Sequence, residues 1–356
     1  MRKLLMLAIS LVLARSTFAQ PESNIKISGY LETYYGFDFN RPADNNRPAF
    51  IYSHNRHNEV NLNLGFIKGA YDNGSVRANL ALMAGTYTNA NLAAEPGVLK
   101  NIFEANAGLK LSKTANLWVD GGIFASHIGF ESAISKDCWV LTRNIVSDNT
   151  PYYESGAKIT YGTGDGKFAI AGFYLNGWQR INRLNGNSQP AGGLQLTFKP
   201  TDKVTLNYSN YLGTEGEDAV RVRRFYNNFY GIIQLTEKFG LIAGFDYGTQ
   251  QIAKGSNERN EVLSPVAIAQ YRINLKWALA GRVEYYEDKN GVIIATGTPE
   301  GFKTTGYSLN LDYSPVANAV VRLEGKLFDS KDKIFIREAS PASQNALVTT
   351  SIAISF

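Results

Sequence analysis

The residues of this chain that could do chemistry are three histidines, a glycine-rich loop and many charged side chains. His54 and His57 lie three positions apart, close to Asp44 and Glu59, but their segment has no helical period that would bring the pair onto one metal ion. His127 is the one candidate base for an acyl-transfer enzyme, and no serine near it stands out. We therefore predict no metal site, no cofactor and no enzyme activity.

The segment from Gly162 to Lys167 (Gly-Thr-Gly-Asp-Gly-Lys) is similar to a loop that cradles phosphate. Such a loop must open a helix, because the helix N-terminal amides have to point at the phosphate. Here the alternating segment Phe168-Ala-Ile-Ala-Gly-Phe-Tyr174 follows, which is typical of a strand. The segment is therefore predicted to be a hairpin turn.

The charged residues follow a two-residue alternation, which places them on one face of successive β-strands. Leu80 and Leu82, for example, alternate with Arg77 and Asn79. The ionisable residues that this alternation assigns to the polar faces are Arg77, Glu104, Lys110, Asp120, Lys158, Arg272, Arg282, Glu284, Arg322, Glu324 and Lys326. The element that must position them is a sheet with one apolar face.

Three further strands show how the alternation assigns faces. The apolar face of the first strand is predicted to hold Ile25, Ile27, Leu31, Tyr35 and Phe37. That of the second is predicted to hold Val60, Leu62, Leu64 and Phe66, opposite Glu59, Asn61 and Asn63. The last strand runs to the end of the chain, and its apolar face holds Ala346, Val348, Thr350, Ile352, Ile354 and Phe356.

The connections between strands alternate strictly between short and long. Short ones with turn-forming residues lie at 72–75, 112–115, 163–166, 200–202, 236–238, 274–276 and 314–318. Longer polar stretches lie near 40–55, 88–100, 127–153, 179–190, 213–222, 251–262, 288–303 and 330–345. This asymmetry is typical of an outer-membrane barrel, with tight periplasmic turns and long external loops.

We therefore predict an all-β protein in which residues 20–356 form one antiparallel, up-and-down transmembrane barrel of about sixteen strands. A β-sandwich could supply the strands, but its Greek-key connections would not sort in this way. A closed barrel also satisfies every backbone group inside lipid. A barrel of this size leaves an aqueous lumen, into which the polar faces point. Trp277 and Tyr285, near the ends of a lipid-facing row, are expected at the aromatic girdles.

Residues 1–19 have the features of a secretory signal peptide: a basic start at Arg2, an apolar segment over Leu4–Leu13 and a cleavage site ending at Ala19. Their removal takes away three basic residues and no acids, so the net charge falls from +5 to +2 (5 − 3). This small charge gives no support to a nucleic-acid partner. Cys138 is the single cysteine, so no disulfide framework holds the chain together, and we expect a buried thiol.

Four short segments carry a family resemblance: Gly29-Tyr-Leu-Glu-Thr-Tyr-Tyr35, Ile128-Gly-Phe-Glu-Ser132, Asn176-Gly-Trp-Gln179 and the terminal Phe356. In these the chain resembles the outer-membrane β-barrel porins of the OmpL-like, beta-barrel porin-2 type. The resemblance implies passive diffusion of small hydrophilic solutes or ions across the outer membrane of a Gram-negative bacterium. It also implies that Phe356 ends the strand that the barrel-assembly machinery reads, with outer-membrane lipid as the other partner. A homo-oligomer is left open.

The connection at 127–153 is the longest, and loops of this length in compact domains tend to be functional. The resemblance implies that this third external loop folds into the lumen and narrows it. The candidate constriction residues are then Glu131, Lys136, Asp137, Arg143 and Asp148. The alternative is a loop that stays outside the barrel as a lid or surface tuft.

The ionisable polar faces become the lumen wall of the predicted barrel, and charge rings in a pore set its ion preference. Arg322, Glu324 and Lys326 mix both signs, which favours weak selectivity, and a slight basic surplus favours anions. The aromatic residues that we expect to face the lumen are Tyr30, Tyr34, Tyr174 and Trp118. They could stack on sugar rings, but wall packing is the favoured interpretation.

Two other classes of protein stay open at this point. A barrel hydrolase of the lipase or acyl-transfer type would depend on His127 and would lack open-channel conductance. A plugged, adhesin-like barrel would tolerate lumen substitutions and lose its function when loops are deleted.

Overall fold

Antiparallel pairing of successive strands builds a closed barrel in the computed structural model, which describes residues 24–356. The predicted signal peptide, residues 1–19, lies outside the described residues. The barrel strands are β1 (Ile25–Asp38), β2 (Val60–Asp72), β3 (Val76–Ala84), β4 (Ile102–Lys110), β5 (Asn116–Ala125), β6 (Tyr153–Gly162), β7 (Phe168–Leu175), β8 (Ala191–Thr201), β9 (Val204–Glu215), β10 (Val222–Gln234), β11 (Phe239–Gln251), β12 (Arg259–Arg272), β13 (Trp277–Asp288), β14 (Phe302–Val316), β15 (Ala319–Ser330) and β18 (Gln344–Ser355). The predicted sixteen-stranded barrel is confirmed.

A few short elements lie outside the wall. A small hairpin in the last external loop consists of β16 (Phe335–Arg337) and β17 (Ser340–Ala342). Short α-helices span Thr86–Asn91 and Ile145–Asp148, and 3₁₀ turns span Gly97–Asn101 and Ser135–Asp137. Within residues 24–356, no helix has the length and apolar character needed to cross a membrane.

The barrel closes where the first strand pairs with the last. β1 runs antiparallel to β18, from Tyr30 opposite Ser355 to Asp38 opposite Leu347. Beyond this ladder, the Phe356 amide donates to the Gly29 carbonyl at 3.0 Å and the Gly29 amide donates back at 2.7 Å. The terminal residue therefore belongs to the seam, because both of its free backbone groups are paired there.

The connections sort as the sequence predicts. The short turns join β2 to β3 and every second strand pair after it, and each predicted turn falls within or beside one of these gaps. The longer external connections fall between the remaining pairs. The longest is residues 126–152, between β5 and β6, which we call the third loop.

The outer face is apolar along most strands, as the alternation predicts. Leu309, for example, is 61% exposed on β14, while its neighbours Ser308 and Asn310 are buried inside. Aromatic residues pair near the short-turn end, where Phe239 lies opposite Tyr271. The Trp277 and Tyr313 rings also meet there, with centroids 4.6 Å apart, the placement expected of an aromatic girdle.

The face prediction for β2 is wrong from Leu64 onward. Glu32 pairs with Leu64 and Thr33 with Leu62, so Asn63 is an extra residue in the strand. Such a β-bulge shifts the alternation by one position. Leu64 is consequently buried inside the barrel, and Phe66 packs on Tyr30 with ring centroids 5.8 Å apart.

Candidate functional site

The third loop does not stay outside the barrel but runs through its interior and contacts inward-facing side chains of many strands. The Gly129 amide donates to Asn228 on β10 at 3.1 Å, and the Leu141 amide donates to Asn310 on β14 at 3.1 Å. Ser135 donates to Glu32 on β1. The loop therefore lies across the inward faces of β10–β15 and β1, and we call the β10–β15 part of this surface the covered wall.

An ion-pair network fixes the loop to the covered wall. Arg282 on β13 lies 3.5 Å from Glu131 of the loop, 3.4 Å from Glu284 and 3.2 Å from Glu324. Lys326 lies 3.0 Å from Glu284. All of these side chains are almost fully buried. Since a buried charge needs a close partner and satisfied hydrogen bonds, the network determines where the loop lies.

The loop backbone completes this network. The Thr142 amide and hydroxyl donate to the two Glu324 oxygens, at 2.6 and 2.9 Å, and the Ile145 amide donates to Glu284. In the other direction, Lys326 donates to the Arg143 carbonyl at 2.9 Å. These contacts satisfy loop amides and carbonyls that would otherwise be buried without partners.

Arg322 on β15 binds a second part of the loop. Its guanidinium donates to the Ser135 and Cys138 carbonyls, at 2.5 and 2.9 Å. It is oriented by Asp312, whose two oxygens lie 2.7 and 2.9 Å away. A planar fork held on one side by a carboxylate presents its remaining N–H groups in fixed directions. Arg322 therefore acts as a clamp on the loop.

Glycines on the covered wall make room for aromatic residues of the loop. A Cβ atom on Gly244 of β11 would lie 2.8 Å from the Phe130 ring, and one on Gly240 would lie 2.6 Å from the Trp139 ring. Both distances are below van der Waals contact, so only glycine lets these rings reach the sheet. We call Gly240 and Gly244 the glycine sockets, because each leaves room for one aromatic ring of the loop.

The five predicted constriction residues do not form one ring. The Glu131 side chain points from the loop toward the covered wall, where it faces Arg282, and it accepts a hydrogen bond from the Asn144 amide at 2.7 Å. Arg143 braces the loop internally by donating to the carbonyls of Ser132, Leu141 and Ala133. Asp148 accepts from Ser53 of the first external loop at 3.0 Å. Lys136 and Asp137 are the members that keep access to solvent.

Burial also changes the ionisation of loop groups. Desolvation raises the pKa of Glu131, although Arg282 and Arg143 oppose the shift. Desolvation raises the pKa of the Cys138 thiol to about 11, so the thiolate is scarce at neutral pH. The expectation of a buried Cys138 is confirmed.

The opposite side of the lumen is built differently. We call the inward face of β2–β6 the open wall, because Lys68, Glu104 and Arg77 keep partial contact with solvent there. Lys68 pairs with Glu104 at 2.5 Å, and the two side chains are 27% and 20% exposed. Arg77 is 29% exposed, binds both Asp120 oxygens at 2.6 and 2.5 Å, and lies 4.3 Å from the Trp118 ring centroid.

Lys158 on the open wall is held differently from Lys68 and Arg77. Its ammonium lies 4.7 Å from the Phe124 ring centroid, and it forms no ion pair with any residue that the structure describes. Asp120, directly opposite on β5, is already bound by Arg77. The cluster of Arg77, Asp120 and Lys158 therefore has a formal charge of +1 (2 − 1).

The other predicted wall residues have less defined surroundings. Lys110 lies at the short-turn end of β4 on the inward face. Arg272 ends β12 beside a short turn and is exposed, so it stands at the rim of the lumen rather than along it.

The predicted lumen aromatics divide into two groups. Tyr30 donates to or accepts from Ser135 of the third loop at 3.1 Å, Tyr34 contacts Thr86 at 3.3 Å, and Trp118 lies beneath Arg77, so these three face inward. The prediction for Tyr174 is wrong. Its neighbour Phe173 faces inward and stacks on His127, with ring centroids 4.1 Å apart. Because side chains alternate along the strand, Tyr174 faces outward, and it is 54% exposed.

The three histidines hold loops in place. His127 Nδ1 lies 2.8 Å from Glu154, and its Nε2 lies 2.8 Å from the Asn210 carbonyl. His54 lies 3.2 Å from Glu32, and His57 Nδ1 accepts from the Asp38 amide at 2.9 Å. No group of three or more His, Cys, Asp or Glu side chains within residues 24–356 is placed to hold a metal ion.

Sequence reasoning missed the glycine sockets and the two loop aromatics that fill them. A signal for them exists, because Gly240, Gly244 and Gly248 recur every fourth residue on the inward face of β11. A Cβ atom on Gly248 would lie 2.5 Å from the Tyr226 ring. A repeat of glycine at inward positions indicates a wall that another segment approaches closely.

A sixteen-stranded barrel with an apolar outer face, tight turns at one end and long loops at the other is a β-barrel channel of the outer-membrane porin class. The sequence matches the family described as "Putative beta-barrel porin-2, OmpL-like" over residues 24–356. The chain belongs to that family.

Solved structures show the same fold. The anion-selective porin from Comamonas acidovorans superposes with a TM-score of 0.60 at 10% identity, over 93% of this chain and 99% of that one. The outer membrane channel DcaP of Acinetobacter baumannii superposes with a TM-score of 0.61 at 11% identity, over 93% of this chain and 97% of that one. OmpT of Vibrio cholerae, an outer membrane protein, superposes with a TM-score of 0.58 at 11% identity, over 95% of this chain and 99% of that one. No curated protein matches the sequence.

Proposed function

We propose that this protein is a porin that lets small hydrophilic solutes and ions diffuse between the third loop and the open wall. The observation that carries the proposal is the contrast in burial across the lumen. Charged residues of the covered wall, such as Arg282 and Glu324, are inaccessible beneath the loop, whereas Lys68 and Arg77 keep solvent contact. The loop leaves the β2–β6 side as the path for water.

The proposed role of the third loop is constriction. It is held on the covered wall by ion pairs, backbone hydrogen bonds and glycine sockets, so it fills one side of the lumen. The loop groups that we assign to the solvent side are Lys136 and Asp137, while Glu131, Arg143 and Asp148 position the loop.

We further propose a mild preference for anions. Glu104 and Asp120 on the open wall are each paired with a cation, and Glu154 is bound by His127. Lys158 has no ion-pair partner among the described residues. A fixed cation in a low-dielectric pore attracts anions and repels cations. Lys158 is the residue to which we assign this preference.

A channel is favoured over a barrel enzyme because of how His127 is held. Both of its ring nitrogens are engaged, one by Glu154 and the other by the Asn210 carbonyl, which leaves no nitrogen free to activate a serine. We therefore propose no catalytic role for it.

The setting that we propose follows from family membership. The chain is exported by residues 1–19, inserted into the Gram-negative outer membrane by the barrel-assembly machinery, and recognised through the strand that ends at Phe356. The closure of that strand against β1 supports its role in assembly.

The test is single-channel recording in a planar bilayer under a salt gradient. The mature protein is expected to give steady, ohmic openings with a reversal potential on the anion side. Lys158→Glu is expected to move that potential toward cation preference at similar conductance. A silent bilayer with insertion confirmed would contradict the channel, and cation preference in the unmodified protein would contradict the role of Lys158.

A further inference from the structure

A cavity of about 220 Å³ lies between the third loop and the external end of the open wall. Phe103 and Glu104 of β4 line it on one side, and Phe130 and Tyr152 of the loop line it on the other. All four keep partial exposure. A solute that passes between the loop and the wall therefore meets aromatic side chains from both directions.

The wall side of this passage is a continuous aromatic surface. Phe103 stacks on Phe66, with ring centroids 4.8 Å apart and planes 15° from parallel. Phe66 in turn lies 5.8 Å from Tyr30, with planes 30° apart. The three rings cross strands β4, β2 and β1 in a row.

Two of these rings face inward because of β-bulges. In β2 the extra residue Asn63 turns Phe66 to the lumen, as described above. In β4, Ala81 pairs with Glu104 and Leu82 with Ile102, which makes Phe103 the extra residue. Bulges often re-aim a side chain beside a functional site. Two strands on either side of β3 each carry a bulge that turns an aromatic ring inward, which indicates that the aromatic row has a role in the lumen.

Positive charge lies further along the same passage toward the short turns. Tyr153 at the external end of β6 lines the cavity, and Lys158 follows on the same strand. Glu104, the carboxylate beside Phe103, is paired with Lys68 at 2.5 Å. The passage thus combines flat apolar faces with two carboxylates that are each paired with a cation, Glu104 with Lys68 and Glu131 with Arg282. Beyond them stands the Lys158 ammonium, which has no ion-pair partner among the described residues.

We propose that the channel prefers small organic anions that carry an aromatic ring next to a carboxylate. The ring would stack on Phe103 opposite Phe130, and the carboxylate would move on to Lys158. This inference rests on the proposed porin function. Sugars fit the passage less well, because most of the described residues that line the cavity are aromatic or aliphatic, and sugar binding needs many hydrogen bonds.

The probe is sodium benzoate, compared with sodium cyclohexanecarboxylate, which has the same charge and nearly the same size but no aromatic face. Relative permeabilities are measured from reversal potentials in planar bilayers against chloride. Benzoate is expected to exceed cyclohexanecarboxylate by roughly threefold to tenfold, the factor that one aromatic pair contributes. Phe103→Ala is expected to remove this difference without changing the chloride-to-potassium ratio.

Two controls separate binding from folding. Phe130→Ala removes the opposing ring, which is also seated against Gly244 of the covered wall, and leaves the open wall unchanged; it is expected to reduce the same ratio. Tyr307→Ala removes an aromatic side chain that is 47% exposed on the outer face, and it is expected to leave the ratio unchanged.

Equal permeability of the two carboxylates, or a ratio unaffected by both Phe103→Ala and Phe130→Ala, would overturn the inference and leave the porin function standing. Faster swelling of protein-containing liposomes in glucose than in benzoate would also overturn it, in favour of a sugar path. A protein that inserts but conducts nothing would overturn the porin function itself.

Discussion

The covered wall and the open wall place similar charged residues in opposite environments. On the covered wall, Arg282 and Lys326 share Glu284 and Glu324 beneath the third loop, without access to solvent. On the open wall, Arg77 and Lys158 sit on aromatic rings with solvent beside them. Sequence alternation treats all of these as equivalent inward positions. Only the path of the third loop buries one set and leaves the other set in contact with solvent.

The difference teaches that an inward charge in a barrel can stabilise a loop rather than select ions. Buried pairs lose several kcal/mol when one partner is removed, because the other charge is left uncompensated. Partly exposed charges are worth about 1 kcal/mol or less to stability, since water screens them. Substitutions on the two walls should therefore separate stability from selectivity.

The largest effect is expected for Arg282→Met on the covered wall. It leaves Glu131, Glu284 and Glu324 without their shared cation, which should destabilise the protein by about 3–5 kcal/mol. Urea unfolding in lipid vesicles measures the change in free energy. Lys158→Met on the open wall is the matched control and should cost less than about 1 kcal/mol. Equal losses would mean that the two walls do not differ.

A slightly smaller effect is expected when a charge is moved to the lipid face. Leu309→Arg places a guanidinium midway along β14 on the outer surface, which should cost about 2–4 kcal/mol in a bilayer. Thr160→Arg, on the inward face of β6, should fold normally because solvent reaches the open wall. Folding yield into vesicles compares the two variants. A Leu309→Arg protein that folds as well as Thr160→Arg would contradict the assigned faces.

The glycine sockets give the next prediction. Gly244→Leu should collide with the Phe130 ring, cost about 1–3 kcal/mol by overpacking, and push the loop toward the open wall. Single-channel conductance should fall or become unsteady. Gly325→Leu on β15, where a Cβ atom has nothing within 4 Å, is the control and should conduct normally. Steady wild-type openings in Gly244→Leu would show that the loop is not seated there.

The smallest effect on stability is expected for Lys158→Gln, and comparison with Lys326→Gln distinguishes the roles of the two lysines. Lys158→Gln should change stability by less than about 1 kcal/mol and shift the reversal potential toward cations. Lys326→Gln removes a buried partner of Glu284, so it should lower stability and leave the reversal potential unchanged. A lower stability for Lys158→Gln together with a shifted reversal potential for Lys326→Gln would contradict the roles assigned to the two walls.

The fold was predictable because a barrel in lipid imposes its pattern on every strand. The alternation in β14 and the apolar row ending at Phe356 correctly assign inside and outside. The same rule fails at Phe66, because a bulge in β2 shifts the alternation. In β7 the alternation holds, but the prediction puts Tyr174 on the wrong face, since Phe173 takes the inward place. No local residue pattern in the sequence predicts the observed face of Phe66 or of Tyr174.

The site was only partly predictable, for a different reason. The length of the third loop indicated its importance, but not which of its residues would face water. Glu131 is buried beside Arg282, which is far away in sequence on β13, and Arg143 is buried because the loop folds back on itself and brings the Ser132 and Ala133 carbonyls to its guanidinium. Such pairing depends on the tertiary path of the loop, which charge and spacing alone do not determine.

The most direct test of solute passage along the open wall is single-site thiol modification. In a Cys138→Ser background, Thr160→Cys on the open wall is compared with Ser308→Cys, which lies under the loop beside Arg282. Single-channel conductance is recorded while a negatively charged methanethiosulfonate reagent is added. We predict that it reduces the conductance of Thr160→Cys and leaves Ser308→Cys unchanged. A block at Ser308→Cys with no effect at Thr160→Cys would place the path on the covered wall and contradict the account.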